Sequence, residues 1–143
     1  MNPVNDKAAI ETLIQQITQA HAEKNATRLA SFYDSKALLF DLAPPLTHRG
    51  MDSEATADWF DTWEGSVQLS HSDVNITISG ELAIVIALAH MRGKKKEGGE
   101  VALWFRITSG LKKYDGRWVI FHEHTSVPFY MDGSERAALD LHP

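Results

Sequence analysis

Trp118-Val119-Ile120-Phe121-His122-Glu123-His124-Thr125-Ser126-Val127-Pro128-Phe129, entered through the turn Asp115-Gly116-Arg117, is a run of β-branched and aromatic residues that predicts a long strand. A period of two along it puts Trp118, Ile120, His122, His124 and Ser126 on one face and Glu123 and Thr125 on the other. Ionisable groups thus enter a strand that otherwise reads as buried. Because a buried polar group costs free energy unless it finds a partner, this segment either lines a pocket or joins an internal hydrogen-bonded network.

Upstream lie further strand signals: Val67–His71, Val74–Ser79, Leu82–Arg92 and Glu100–Tyr114, divided by Ser79-Gly80, a glycine-rich tip from Gly93 to Gly99, and Asp115-Gly116. The N-terminal half is helical in pattern. Asn5 or Asp6 is placed to cap a first helix with the stripe Ile10, Leu13, Ile14, Ile17 and Ala20, and His21 continues it as a core-edge residue. Asn25 caps a short second helix carrying Leu29, Phe32 and Tyr33, and the apolar run Ala37–Leu42 follows as a strand that Pro44 and Pro45 end. Asp52 or Ser53 caps a third helix carrying Thr56, Trp59, Phe60 and Trp63, with Gly65 to stop it. Helix, helix, strand, helix and then long hairpin strands make an α+β fold, in which the three N-terminal helices cover the concave side of a strongly bent antiparallel sheet. After Phe129 the chain reads as a tail, residues 130–143, in which Ser134 either caps a short helix through Leu141 or begins a loose end.

The chain has 143 residues, a net charge of −5 and no cysteine. One domain with a sizeable core fits that length. The negative charge argues against nucleic acid, and the basic run from Arg92 to Lys96 sits among turn glycines as a solvated hairpin tip. Without cysteine there is no disulfide, thiol nucleophile or thiolate metal ligand. No segment has the length and apolarity to cross a membrane, and Met1 to Lys7 lacks an apolar signal core, so we expect a cytoplasmic protein.

Several pieces in order carry a resemblance: Phe40-Asp41-Leu42-Ala43-Pro44-Pro45 with Arg49-Gly50, Trp59 and Trp63 before Gly65, Leu103-Trp104-Phe105-Arg106, and the terminal strand from Trp118 to Phe129. From Val4 to Phe129 the chain resembles the SnoaL-like, ketosteroid-isomerase-like branch of the nuclear transport factor 2 (NTF2-like) superfamily. The resemblance implies a cone of curved sheet around helices, an internal cavity, and homodimers formed through the outer face of the sheet. It implies no single chemistry, because the superfamily includes isomerases, cyclases, dehydratases, hydrolases and proteins that only bind or assemble.

Candidate site residues follow from chemistry. Asp41, at the end of an apolar strand, would act as a general base if it faced an apolar cavity; otherwise it hydrogen-bonds the turn backbone around Ala43 to Leu46. His124 or His48 would be its proton partner. His122 and His124, two apart on a strand, share a face and suit a proton network; a metal is not expected, since neither an H-E-x-x-H motif nor an acidic ligand cluster accompanies them. Arg106 would either anchor an anionic group or form an ion pair with Glu123 or Asp41, while Trp59, Phe60, Trp63 and Trp104 supply an apolar wall or simply core. Ser126 lies beside His124 without a nucleophile elbow, so it is read as a ligand contact. No Gly-rich loop leads into a helix, so no nucleotide cofactor is expected. The outcome is a small hydrophobic ligand containing a carbonyl or carboxylate, with cofactor-independent acid–base catalysis as one use of the pocket and non-catalytic binding or sensing by a homodimer as the other.

Overall fold

The computed structural model describes residues 3–143. Helix α1 (Pro3–Ala22) and the short α2 (Ala26–Ala30) precede strands β1 (Tyr33–Phe40) and β2 (His48–Arg49). Helix α3 (Ser53–Phe60) leads into β3 (Trp63–Ser79), β4 (Leu82–Lys95), β5 (Glu100–Tyr114) and β6 (Arg117–Ser126). The six strands form one curled, unclosed sheet in the order β2-β1-β6-β5-β4-β3. Neighbours are antiparallel except β1 and β6, which run parallel. The expected α+β cone is therefore present, with one parallel pair in its sheet.

Packing fixes which side is inside. Ile10, Leu13 and Ile17 of α1 join Leu39, Val67, Leu69, Ala83, Val85, Ala89, Phe105, Leu111, Trp118 and Ile120 in one core. Odd-numbered residues of β4 and β5 therefore face the helices, and even-numbered ones face outward. Asp6 does not cap α1. It lies in the first helical turn and reaches the sheet, accepting from Lys113 Nζ at 2.7 Å and Trp118 Nε1 at 3.2 Å. This buried pair pins the start of the helix to β5 and β6.

Several element boundaries differ from the sequence expectation. Tyr33 opens β1 instead of closing α2, which ends at Ala30 after Asn25 caps it through the Arg28 N–H. Trp63 is in β3, not α3. Thr62 accepts from the Lys96 N–H through its carbonyl, so pairing with β4 captures the chain two residues after Phe60. Gly65, at φ +71, is not a helix stop; it serves a break in the β3–β4 register between Glu64 and Gln68. The segments 67–71 and 74–79 are one strand, interrupted by a second irregularity between Ser72 and Asn75. Strand β4 runs on to Lys95, and the hairpin tip is confined to Lys96–Gly99, with Gly93 inside the strand. Strand β6 ends at Ser126. Beyond it the chain makes neither a helix nor a loose end. Phe129 bridges Ala137, the Tyr130 N–H donates to Arg136 O, and the Ala138 N–H donates to Pro128 O, closing a hook that buries Ala138.

Candidate functional site

The decisive local feature is Phe121. Leu111 pairs with Ile120, yet Gly110 pairs with His122, so β6 carries one extra residue opposite β5. A bulge of this kind breaks the alternation of side chains. Trp118 and Ile120 face the helices as expected, but beyond the bulge the inward positions are Glu123 and Thr125. His122, His124 and Ser126 fall on the outer face. The single-face assignment of Trp118, Ile120, His122, His124 and Ser126 is thereby corrected, and the physical reason is the inserted residue.

Strand β1 obeys the same geometry. Leu39 pairs with Glu123 and Phe40 with His124, so Asp41, next in the inward series after Ala37 and Leu39, comes beside Thr125. Across the other edge, His48 pairs with Leu39 and shares its inward side. Glu123 Oε1 accepts from Tyr33 Oη at 2.7 Å and Glu123 Oε2 accepts from Ser109 Oγ at 2.8 Å. Asp41 Oδ1 accepts from the Leu42 N–H at 2.9 Å and from Thr125 Oγ1 at 3.4 Å. His48 Nε2 is shielded from solvent and has no hydrogen-bond partner among the described residues.

These groups differ in electrostatic setting. Burial raises the pKa of Glu123 against the lowering effect of its bonds from Tyr33 and Ser109, and the Asp41 charge pushes in the same direction as burial. Burial first and the Glu123 charge second hold the Tyr33 phenol well above its usual range. Asp41 is exposed. One wall of the inner face thus holds an exposed carboxylate, a partly buried carboxylate whose pKa burial raises, a phenol and two hydroxyls. Ile107, paired with Thr125, is a partly buried apolar neighbour packed against the core. Farther along the inner face, His71 and His21 are both shifted toward the neutral form by burial, His21 with its Nδ1–H donated to Ile17 O at 2.9 Å.

The other expected site residues are placed elsewhere. Phe60 and Trp63 are 1% exposed and belong to the core, while Trp59, at 36%, packs edge-on to Trp63. Lys95 Nζ sits 4.0 Å from the Trp63 ring centroid, closing that corner. Trp104 stacks on His90 at 4.4 Å and lies outside, as does Arg106, whose Nε donates to Ser126 Oγ at 3.1 Å. Arg106 pairs with neither Glu123 nor Asp41. His122 donates its Nδ1–H to Leu38 O at 2.7 Å, and Phe40 meets both His122 and His124 edge-on. The structure therefore brings Asp41 and His48 to the inner face and leaves His124, Arg106, Trp104, His122 and Ser126 on the outer one. Tyr33, Ser109, Thr125 and Glu123 complete the inner cluster. The sequence signal for it was the unbroken apolar run Trp118-Val119-Ile120-Phe121, which cannot alternate faces and remain half polar.

No group of three or more potential metal ligands converges among the described residues. The model of the SnoaL-like domain family matches residues 10–130. No curated protein matches the chain significantly. Among solved structures, an NTF2-like protein of unknown function from Pseudomonas putida KT2440 superposes with a TM-score of 0.85 at 22% identity, covering 98% of each chain. A candidate scytalone dehydratase from Novosphingobium aromaticivorans DSM 12444 gives 0.78 at 19% identity over 98% of this chain and 95% of that one. The association domain of CaMKII from C. elegans gives 0.68 at 21% identity, over 85% and 95%. At these identities the likeness is one of fold.

Proposed function

The chain belongs to the SnoaL-like domain family, and we propose that it binds a small hydrophobic molecule on the helix-covered face of its sheet and moves a proton on it without a cofactor. The observation that supports this reading is the cluster of Asp41, Glu123, Tyr33, Ser109 and Thr125 on that face, with His48 beside it. Asp41 is the accessible carboxylate and acts as the base. Glu123 lies one row deeper, its pKa raised by burial, and the hydroxyls of Tyr33 and Ser109, each donating to one of its oxygens, fix its orientation. Two carboxyl groups in unlike settings suit proton abstraction beside a carbonyl and return of a proton elsewhere, as in isomerisation, cyclisation or dehydration.

Exchange of the α-protons of β-tetralone in deuterium oxide, followed by proton NMR, tests the reading. Wild-type protein should accelerate exchange, and Asp41→Asn should lose about 100-fold or more of that acceleration while retaining ligand binding and fold. Equal exchange by the variant sinks the proposal.

A second reading, a non-catalytic binding or sensing homodimer, draws on a different observation. Asp41 already bonds the Leu42 backbone, and the outer face exposes Leu82, Ile84 and Ile86 to 50%, 40% and 49%. Apolar side chains in that row suit burial against a second copy through the sheet. Saturable binding of β-tetralone with no exchange in wild type or Asp41→Asn would favour this alternative.

A further inference from the structure

Beyond the Phe121 bulge, four outward side chains of β5 and β6 form a block that the inner face does not use. Arg106 pairs with Ser126 and Thr108 with His124. The two pairs are two residues apart on each strand, so the four positions mark a patch about 5 Å across the strands and about 7 Å along them. Every corner carries a hydrogen-bond donor. Arg106 is exposed, and its Nε donates to Ser126 Oγ at 3.1 Å. That bond fixes the plane of the guanidinium and leaves both of its terminal nitrogens to a ligand. Because the Ser126 oxygen is the acceptor in it, the Ser126 hydroxyl hydrogen is left to be donated outward. His124 is exposed as well and is steadied by Phe40, whose ring it meets edge-on at 5.3 Å.

The charge around the block has one sign. The chain as a whole carries −5, yet the outward positions of β4 and β5 hold Arg92, Lys94, Arg106 and Lys112. The one carboxylate among the outward positions of β4, β5 and β6 is Glu100, which stands across from Lys94 at the start of β5. From this arrangement we propose that Arg106, Thr108, His124 and Ser126 bind a tetrahedral oxyanion, either inorganic phosphate or the phosphate group of a small ester, on the face of the sheet opposite Asp41 and Glu123. A phosphate presents three or four acceptor oxygens in different directions, so it engages donors at several corners of the patch while its charge meets the Arg106 fork. A carboxylate has two oxygens in one plane; it satisfies that fork and leaves the other corners to water. Its single charge also gains less from the guanidinium than a dianion does. The site is separate from the inner cluster and stands whether or not that cluster moves a proton.

Titration of the full chain at neutral pH, followed in proton–nitrogen correlation spectra, reads this with inorganic phosphate, phenyl phosphate and benzoate as probes. An ionic strength of about 0.15 M screens charges outside the block. Phosphate should shift a small set of resonances saturably, and Arg106→Gln and, separately, His124→Ala should each weaken its binding about tenfold or more while the rest of the spectrum keeps its native dispersion. Lys112→Gln should leave the affinity unchanged, since that lysine lies outside the block with its Nζ 4.6 Å from the Phe121 ring centroid. Phenyl phosphate binding more tightly than phosphate supports an organic ester as the ligand, and equal affinity supports the free anion; in both cases Arg106→Gln should weaken the two probes alike. Benzoate binding as tightly as phenyl phosphate overturns the assignment to a tetrahedral anion. Absence of saturable shifts with phosphate overturns the site, as does an equal loss in Arg106→Gln and Lys112→Gln, which would reduce it to diffuse attraction by a basic face.

Discussion

Asp6 is a buried carboxylate and Glu123 a partly buried one, and they respond to pH in opposite senses. Asp6 is held below its usual value chiefly by the hydrogen bond from Lys113, with Trp118 assisting, so the fold prefers its charged form. The stability it contributes is present above about pH 3.9 and is lost as pH falls through the lowered pKa. Glu123 is raised by burial, so the fold binds more protons than the unfolded chain between about pH 4.3 and its raised value, and stability declines as pH rises across that window. Denaturant melts at several pH values should show Glu123→Gln removing the decline above about pH 4.3, and Asp6→Asn removing the dependence below about pH 3.9. A Glu123→Gln curve parallel to wild type above that point would contradict the assignment. Neither role was legible from residue type, because an Asp in the first helical turn normally serves the helix and a Glu between two histidines looks like their partner.

At the level of the element, the long strands are defined by their irregularities. Gly93 in β4 lies against the Trp63 indole; an added Cβ would come within 2.7 Å of two ring carbons and 3.3 Å of Ser66 O. Because Trp63 is buried and Lys95 covers its other surroundings, the ring has little freedom to move. Gly93→Ala should therefore cost about 1–3 kcal/mol in chemical denaturation; a loss under a few tenths would show that the corner is looser than its contacts imply. Helix existence and strand existence were readable from period and turn residues. The boundaries near Tyr33, Trp63 and Gly93 were not, because each aromatic fits a helical spacing equally well until β pairing claims it. The same holds for Phe121, where one inserted residue reversed the faces of every side chain after it.

For the whole molecule, the surface that bears on assembly is the outer face of the sheet, where Leu82, Ile84 and Ile86 form an exposed apolar row on β4, the strand that also carries His90 of the stacked pair His90 and Trp104. If that face pairs with a second copy, Ile86→Lys should convert the protein to a monomer in analytical ultracentrifugation with an unchanged circular dichroism spectrum, and a dimeric variant would place the interface elsewhere. The sequence by itself determined the α+β class, the order of helices and hairpins, and the family resemblance, because hydrophobic period and turn chemistry are local properties that each segment carries with it. Only the tertiary structure decided that Asp41, Thr125, Glu123, Tyr33 and Ser109 meet, while His124 and Arg106 stand on the opposite face. That outcome depends on strand register, and register is set between segments far apart in the chain: β1 and β6 meet across more than eighty residues, as in the Tyr33–Glu123 hydrogen bond with a separation of 90, and the bulge at Phe121 exists only relative to its partner strand.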